Sequence, residues 1–411
     1  MANDNHEVVI VGGGAAGIAA ARRLHDAGVQ CLLLEARDRL GGRAWTVADP
    51  SGSAIDLGCG WLHSADRNPW TGIAIAQGRT IDKTPPPWAR MPLPRNFPER
   101  DQHEFRGALE AFFARVHAAP DAPDRPAAAL LEPGNRWNGL IGAVNSYISG
   151  AALERISVRD LRRYADSNVN WRIVQGYGTT IAAHGASVPV ALGCLVQAID
   201  RTGARVKIET AKGTLTADRV IITLPSALIA AETIRFTPAL PEKTEAARGL
   251  PLGLADKLFL SLAQPEEFMT ESRVFGHTGR AKTGAYNLRP FGRPQIEVYF
   301  GGELAEELEA GGDAAFFEFA VGELTGAFGS DFARRVAPLR LHRWGNDPFA
   351  RGSYSFALPE RADDRARLAA PVDNRLFFAG EACSINDYST AHGAYLTGLA
   401  AADAVLAARK K

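Results

Sequence analysis

The chain has 411 residues, and its 46 Lys and Arg residues balance its 46 Asp and Glu residues, so the formal net charge is zero. This balance argues against a nucleic-acid-binding protein, which usually has an excess of basic residues. The length exceeds that of a usual single domain and predicts two domains with a large apolar core.

Neither the cysteines nor the apolar segments point to a secreted, metal-binding or membrane protein. No two of the four cysteines have the C-x-x-C spacing, so we expect neither a disulfide framework nor a metal site. The N-terminus lacks the basic segment of a signal peptide, and no segment approaches the ~18 apolar residues of a membrane span. These features predict a soluble, cytoplasmic protein without a membrane partner. A homo-oligomer remains possible.

The first predicted elements form a strand–helix–strand unit. Residues 7–12 are short, β-branched and end in glycine, as in a buried parallel strand. Residues 15–27 contain good helix formers, and Gly28 is suited to end that helix. Residues 30–35 form a second apolar run. The unit has the size of a dinucleotide-binding βαβ motif.

Three glycines at the junction of the first strand and the helix form the pattern Gly12-x-Gly14-x-x-Gly17. Gly12 permits a tight turn, Gly14 lets a pyrophosphate approach the backbone, and Gly17 lets the helix pack near the sheet. The helix would begin at Ala15 and Ala16, where free N–H groups and the helix dipole favour phosphate.

Glu35 ends the second strand, where a carboxylate accepts hydrogen bonds from ribose hydroxyls and disfavours a 2′-phosphate. The site therefore favours FAD or NAD over NADP. No second glycine motif of this kind follows a strand later in the chain, which favours FAD alone.

The residues after Glu35 are candidates for further cofactor contacts. Ala36 and Arg37 follow it directly, and Gly42 precedes Arg43, whose guanidinium could neutralise a phosphate. Surface solvation is an equal alternative for Arg37.

A second glycine-rich segment ends at Gly60 and Trp61, which indicates a backbone lying against a flat ring. A turn beside a core tryptophan is the alternative. The roles of the nearby Cys59 and His63 remain open.

The middle of the chain yields fewer functional signals. The proline-rich segments 84–98 and 120–133 predict ordered loops, which are either plain connections or an entrance rim over an active site. Strand patterns return near 188–199, 205–209 and 220–224. A mixed helix and strand region follows at 237–342, with one strand at 296–300.

The end of the chain repeats the strand–loop–helix order. An apolar run leads to Gly380 and Glu381, and a helix is expected from Gly393. The N-terminus of this helix could stabilise negative charge on a reduced flavin.

These motifs, in this order, resemble the flavin-containing amine oxidase family, which includes monoamine and polyamine oxidases, L-amino-acid oxidases and histone demethylases. The resemblance implies an α/β fold, with a Rossmann-like FAD-binding domain and a discontinuous α+β substrate-binding domain. The first domain would comprise 1–79, 172–236 and 343–411. The second would comprise 80–171 and 237–342.

The resemblance also implies roles for individual residues. The backbone of Val196 would contact adenine, Glu381 would bind the ribityl chain, and Ala391 would lie at the cofactor. Lys257 would hold a water at flavin N5, although a lysine in an apolar run is otherwise an edge-strand or surface-reaching residue.

Three further positions concern the flavin ring and the amine. Ser353 stands where monoamine oxidases have the cysteine that bonds to the flavin, so the FAD should be non-covalent. Tyr354 matches one wall of the aromatic cage that guides the amine. The other wall falls on Thr390, which leaves the cage half open and argues against small arylalkylamines.

The implied reaction is hydride transfer from the α-carbon of a small-molecule amine to flavin N5. The resulting imine is hydrolysed to an aldehyde or ketone, and oxygen, giving hydrogen peroxide, or a protein accepts the electrons. Two alternatives remain: another FAD-dependent desaturase or oxidase on the same scaffold, or a non-catalytic binding protein stabilised by FAD.

Overall fold

The computed structural model describes residues 5–409. In chain order its strands are β1 (Asn5–Val11), β2 (Cys31–Leu34), β3 (Thr46–Ala48), β4 (Ala54–Asp56), β5 (Ile81–Asp82), β6 (Arg172–Ile173), β7 (Val190–Ala191), β8 (Val196–Asp200), β9 (Val206–Thr210), β10 (Gly213–Ile222), β11 (Arg235–Thr237), β12 (Leu252–Gly253), β13 (Ala255–Leu262), β14 (Ser272–Phe275), β15 (Ala285–Leu288), β16 (Gln295–Gly301), β17 (Val336–Leu341), β18 (Tyr354–Ser355) and β19 (Leu376–Phe378). Its α-helices are α1 (Ala15–Asp26), α2 (Pro69–Ala76), α3 (Glu99–Ala118), α4 (Asn138–Ser149), α5 (Val158–Arg163), α6 (Tyr177–His184), α7 (Ser226–Ala230), α8 (Pro241–Arg248), α9 (Glu303–Gly311), α10 (Asp313–Phe328), α11 (Asp364–Ala369) and α12 (Ala391–Ala408).

The larger sheet has eight strands and contains the predicted βαβ unit. Its order is β11-β8-β9-β10-β1-β2-β7, and β19 also pairs with β10. Strand β1 is parallel to both β2 and β10, and its residues Val8, Val9 and Ile10 are fully buried. A strand covered on both faces needs such a continuous apolar run, which is why β1 could be predicted from the sequence.

Two strand boundaries differ from the sequence-based expectation. The strand expected at 188–199 is divided into β7 and β8, because Gly193 between them has a left-handed φ of 57°. The strand expected at 220–224 begins earlier, at Gly213, because its first half pairs with β9 and its second half with β19. That first half alternates buried and exposed residues and contains no apolar run.

Helix α12 packs directly against α1. A Cβ atom at Gly398 would lie only 2.1 Å from the carbonyl oxygen of Ala16. The helix begins at Ala391 and not at Gly393 as expected, because the hydroxyl of Thr390 caps it by accepting the Gly393 N–H at 2.9 Å.

The smaller sheet is antiparallel, with the order β14-β15-β16-β13-β17. Alternation along its strands buries Leu258 and Val298 in an apolar core with α9 and α10. Lys257, Glu297 and Tyr299 are on the opposite face, which lines a cavity. This sheet and helices α8, α9 and α10 lie in the mixed helix and strand region predicted at 237–342.

Both proline-rich segments are loops with only short 3-10 turns, at Pro87–Ala89 and Ala127–Leu130. The first segment lines the cavity, which favours the entrance interpretation for it, and none of the second segment does. Among the helices of residues 5–409, none is both long and apolar enough to cross a lipid bilayer.

Candidate cofactor and active site

A cavity of about 1310 Å³ extends from the ends of β1 and β2 to the face of the smaller sheet. It brings together all of the predicted site residues except Gly17. Those that line it are Gly12, Gly14, Ala15, Ala16, Glu35, Ala36, Arg37, Gly42, Arg43, Gly60, Trp61, Val196, Lys257, Tyr354, Gly380, Glu381, Thr390 and Ala391.

The three glycines after β1 have distinct surroundings. Gly12 has a φ of 108°, and its own Cβ would lie 2.5 Å from the Thr223 hydroxyl oxygen. A Cβ on Gly17 would lie 1.8 Å from the carbonyl oxygen of Gly12, so Gly17 acts in packing. At Gly14 the nearest atom would be 4.0 Å away, which leaves the space before the α1 N-terminus open. This cradle fits a pyrophosphate.

Glu35 is buried, and two backbone N–H groups hold its carboxylate beside the cradle. Gly13 donates to Oε2 at 2.6 Å, and Arg37 donates to Oε1 at 2.8 Å. A carboxylate has about four acceptor positions, so Glu35 retains the capacity to accept from a ribose diol.

Both arginines predicted to contact the cofactor, Arg37 and Arg43, are engaged in ion pairs. Arg37 contacts Asp347 at 2.5 Å. Arg43 donates to Glu381 at 2.9 Å and to the carbonyl oxygen of Ser353 at 2.8 Å. Arg43 therefore orients the acid that was expected to bind the ribityl chain, and its phosphate contact stays a prediction.

Glu381 is the centre of a buried polar network. Its carboxylate accepts the Ser355 hydroxyl at 2.6 Å and the Ser389 N–H at 3.0 Å, as well as Arg43. Burial raises the pKa of Glu381, but Arg43 and Ser355 outweigh this effect and hold it below its usual value. Glu381 is thus a fixed anion at the cavity wall. Gly380 beside it has a φ of 139° and faces open space.

Lys257 lies on an interior strand, because β13 is between β16 and β17, so the edge-strand alternative is wrong. Its ammonium is buried, donates to the carbonyl oxygen of Asp56 at 2.9 Å and pairs with Glu297 at 3.3 Å. Burial lowers the pKa of Lys257, but Tyr299 and Glu297 outweigh it and raise the pKa above its ordinary value. The side chain is a permanent cation on the cavity wall.

Gly60 gives this cation room beside the cofactor cradle. A Cβ at Gly60 would lie 3.3 Å from the Lys257 ammonium nitrogen. The neighbouring Trp61 packs edge-on against Trp88 of the proline-rich entrance segment, with ring centroids 4.5 Å apart. The glycine-rich turn therefore joins the cofactor end of the cavity to its entrance.

The two residues predicted as cage walls, Tyr354 and Thr390, both line the cavity and are both held by hydrogen bonds. The Tyr354 hydroxyl donates to the carbonyl oxygen of Tyr147, which fixes the ring. The Thr390 hydroxyl donates to the carbonyl oxygen of Asp387 at 2.6 Å and caps α12. Both hydrogen bonds of this hydroxyl are therefore made within the protein. Tyr299, which the sequence did not single out, also lines the cavity.

Cys59 and His63 both line the cavity. Burial raises the pKa of the Cys59 thiol to about 12, so it is protonated at neutral pH. Burial also lowers the pKa of His63, whose Nδ1 lies 2.6 Å from the side-chain oxygen of Asn170. His63 is therefore a neutral, oriented imidazole.

The βαβ cradle, the buried Glu35 beside it and the second wall from α12 together fit a dinucleotide cofactor such as FAD. A family model described as flavin containing amine oxidoreductase matches residues 15–75 and 98–406. The chain belongs to this family of flavin-dependent amine oxidases, and FAD is its cofactor.

Similar proteins agree with this assignment. Polyamine oxidase 2 of Arabidopsis thaliana is 30% identical over 98% of this chain and 88% of its own length. Polyamine oxidase 3 of Oryza sativa is 31% identical over 96% and 88%. Human lysine-specific histone demethylase 2 is 26% identical, with 98% of this chain but 54% of its own length covered.

A solved structure of a putrescine oxidase double mutant superposes with a TM-score of 0.77 at 18% identity. The match covers 98% of this chain and 99% of that one. This likeness shows that the two share the α/β fold.

Proposed function

We propose that this chain oxidises a small-molecule amine to an imine, which water hydrolyses to an aldehyde or ketone. When bound, FAD supplies the redox chemistry by accepting a hydride from the α-carbon of the amine at N5. The proposal rests on the position of Lys257. Its buried ammonium is held by hydrogen bond and ion pair where the cofactor cradle meets the face of the smaller sheet.

The cavity wall favours the neutral form of the amine, which is the form that can give up a hydride. Glu297 on the same wall is already paired with Lys257, and the rings of Trp61, Tyr299 and Tyr354 remove water from around the nitrogen. This desolvation lowers the pKa of a bound ammonium, whose proton leaves to solvent. The aromatic side chains also orient the α-carbon.

Oxygen is the acceptor we propose, since the similar plant proteins are named oxidases. It would take up two electrons and two protons and give hydrogen peroxide, and the cation at Lys257 favours the negative charge that develops. A protein acceptor is the alternative.

The FAD is proposed to be non-covalent. The Ser353 hydroxyl donates to the carbonyl oxygen of Ala255 at 2.7 Å and accepts the N–H of the same residue at 2.9 Å. It serves as a link between strands and has no sulfur to form a thioether.

We also propose the domain division 1–79, 172–236 and 343–411 for FAD and 80–171 and 237–342 for the amine. The strands of the larger sheet fall within the first set, apart from the end of β11 at Thr237. All of the smaller sheet falls within the second, and the cavity lies where the two sets meet.

The test is anaerobic titration of the purified holoenzyme with a panel of mono-, di- and polyamines and amino carboxylates. Loss of the visible flavin absorbance, with one equivalent of aldehyde or ketone per FAD, is the expected result. If dithionite reduces the flavin but no amine does, the chain is not an amine oxidase, and the desaturase and binding-protein alternatives gain support.

A further inference from the structure

Arg273 lies on the same cavity wall as Lys257, three strands away at one edge of the smaller sheet. It belongs to the edge strand β14, and it shares a strand face with Phe275. The register aligns Phe275, Ala285, Tyr299 and Lys257 in one row, and Arg273, Asn287 and Glu297 in the next. All seven line the cavity.

The guanidinium of Arg273 makes no hydrogen bond or ion pair within residues 5–409. Its backbone, in contrast, is fixed, because its carbonyl oxygen accepts the N–H of Leu93 at 2.7 Å from the entrance segment. The nearby carboxylates already have cationic partners: Glu297 with Lys257, Glu271 with Arg172, and Glu323 with Arg280.

The surroundings of Arg273 orient the group without neutralising it. Its guanidinium carbon lies 4.3 Å from the centre of the Phe275 ring, a cation–π contact. Burial lowers the pKa of Arg273 to about 10, against a small opposing influence of Tyr147. Arg273 is partly buried and lines the cavity without a counter-ion, so an incoming anion would gain a charge-assisted contact there.

The spacing between the two cations sets the length of a molecule that could contact both. Arg273 lies three strands away from Lys257 across the sheet and is displaced by two residues along the strand direction. With the usual strand separation and rise per residue, the two Cα atoms are about 16 Å apart. Of the two rows between them, one carries the polar Asn287 and Glu297, and the other carries Phe275, Ala285 and Tyr299, which suits an extended hydrocarbon chain.

We propose that Arg273 binds a carboxylate at the far end of the substrate, so that the preferred substrates are extended amines carrying an ω-carboxylate. This inference rests on the proposed amine oxidation, with the reacting nitrogen near Lys257. A planar guanidinium matches a carboxylate with two parallel hydrogen bonds, whereas it repels the distal ammonium of a diamine.

The test compares molecules that differ only at the far end: 8-aminooctanoate, octylamine and 1,8-diaminooctane, with their 10- and 12-carbon counterparts. Anaerobic stopped-flow flavin reduction gives the apparent second-order rate constant for each. We expect the amino carboxylate of the best length to exceed the alkylamine about tenfold or more, and the diamine to be slowest.

Arg273→Gln should abolish this preference and change the octylamine rate less than about threefold. Arg273→Lys retains the charge and should keep part of the preference. The surface variant Arg334→Gln, whose side chain is 76% exposed, is the control and should match wild type. A wild-type preference for the alkylamine or the diamine, or a preference that survives in Arg273→Gln, overturns the proposal.

Binding of octanoate to the holoenzyme, measured by calorimetry, separates this inference from the proposed function. Loss of octanoate binding in Arg273→Gln supports the anion site even if no amine reduces the flavin, in which case the proposed function alone fails. Equal octanoate binding by wild type and Arg273→Gln contradicts the site. If Arg273→Gln does not retain FAD, the proposal is tested by the substrate preference of Arg273→Lys and by the wild-type rates with the amine series.

Discussion

The buried ammonium of Lys257 is held from three sides: by a backbone carbonyl of the glycine-rich turn, by Glu297 and by the Tyr299 ring 5.2 Å away. Such a network fixes both the position and the charge of the side chain. A group needs both a fixed position and a fixed charge to stabilise charge that develops at a neighbouring ring.

Lys257→Met should retain FAD but slow flavin reduction or reoxidation by about tenfold or more. Methionine keeps much of the stem volume. Because the variant leaves Glu297, among residues 5–409, with the Tyr299 hydroxyl as its one donor, Lys257→Met/Glu297→Gln removes the unpaired charge as well. Lys207→Met is the control, since Lys207 also pairs with a glutamate on a strand but is exposed. Stopped-flow rates of both half-reactions equal to wild type would show that Lys257 has only a structural role.

Residues of the cofactor site could be predicted individually because each follows a local rule. Gly14 and Glu35 lie at fixed positions in a βαβ unit, so a short sequence pattern finds them. Glu297, Tyr299 and Arg273 were missed because their importance depends on the register of three antiparallel strands. The alternation of residues 295–301 places Glu297 and Tyr299 on one face, but the sequence does not say what that face contacts.

Among the elements, the contact between α1 and α12 connects the first and last parts of the chain at the cofactor. Both helices begin at the cavity, through Ala15 and Ala391. Their close approach depends on Gly398, which leaves room for the carbonyl oxygen of Ala16. Separating the helices would therefore move the N-terminus of α1, which is predicted to face the phosphates of FAD.

Gly398→Ala should destabilise the protein by about 1–3 kcal/mol through overpacking, although alanine is the better helix former. Gly322→Ala is the matched control: Gly322 is exposed in α10 and has no atom within 4 Å of its ideal Cβ, so this variant should be neutral or slightly stabilising. Thermal unfolding gives the stability of each of the two variants, and the FAD affinity of each is measured as well. Equal stability of the two variants would show that α12 can shift freely.

The type of an element could be predicted where its burial pattern was uniform. Its boundaries could be predicted where the sequence showed a capping residue or a residue that breaks the element. The apolar runs of β1, β2 and β16 gave strands within two residues of those observed. The start of β10 was not predicted, since its polar first half is stabilised by pairing with β9 and not by its own composition. Tertiary pairing of this kind overrides local propensity.

At the scale of the whole molecule, a buried ion pair joins segments that are far apart in sequence. Arg365 of α11 makes two hydrogen bonds of 2.7 Å to Asp160 of α5, and both side chains are almost fully buried. Arg365 also donates to the Ser355 hydroxyl at 2.9 Å, which in turn donates to Glu381. The chain of contacts connects the proposed substrate segments to the cofactor acid, and no local sequence signal indicated it.

Arg365→Met should destabilise the protein by about 3–5 kcal/mol, because it leaves Asp160 buried without its cation. FAD affinity should fall as well, since the Ser355 hydroxyl loses the donor that orients it toward Glu381. Arg367→Met is the matched control on the same helix: Arg367 is 72% exposed and pairs with Asp364, so its loss should cost less than about 1 kcal/mol. Adding Asp160→Asn to Arg365→Met should recover part of the stability by removing the unpaired charge. Denaturant unfolding of the four proteins, with bound FAD quantified in each, distinguishes the outcomes. An Arg365→Met protein as stable as Arg367→Met would mean that apolar packing alone holds the two parts of the chain together.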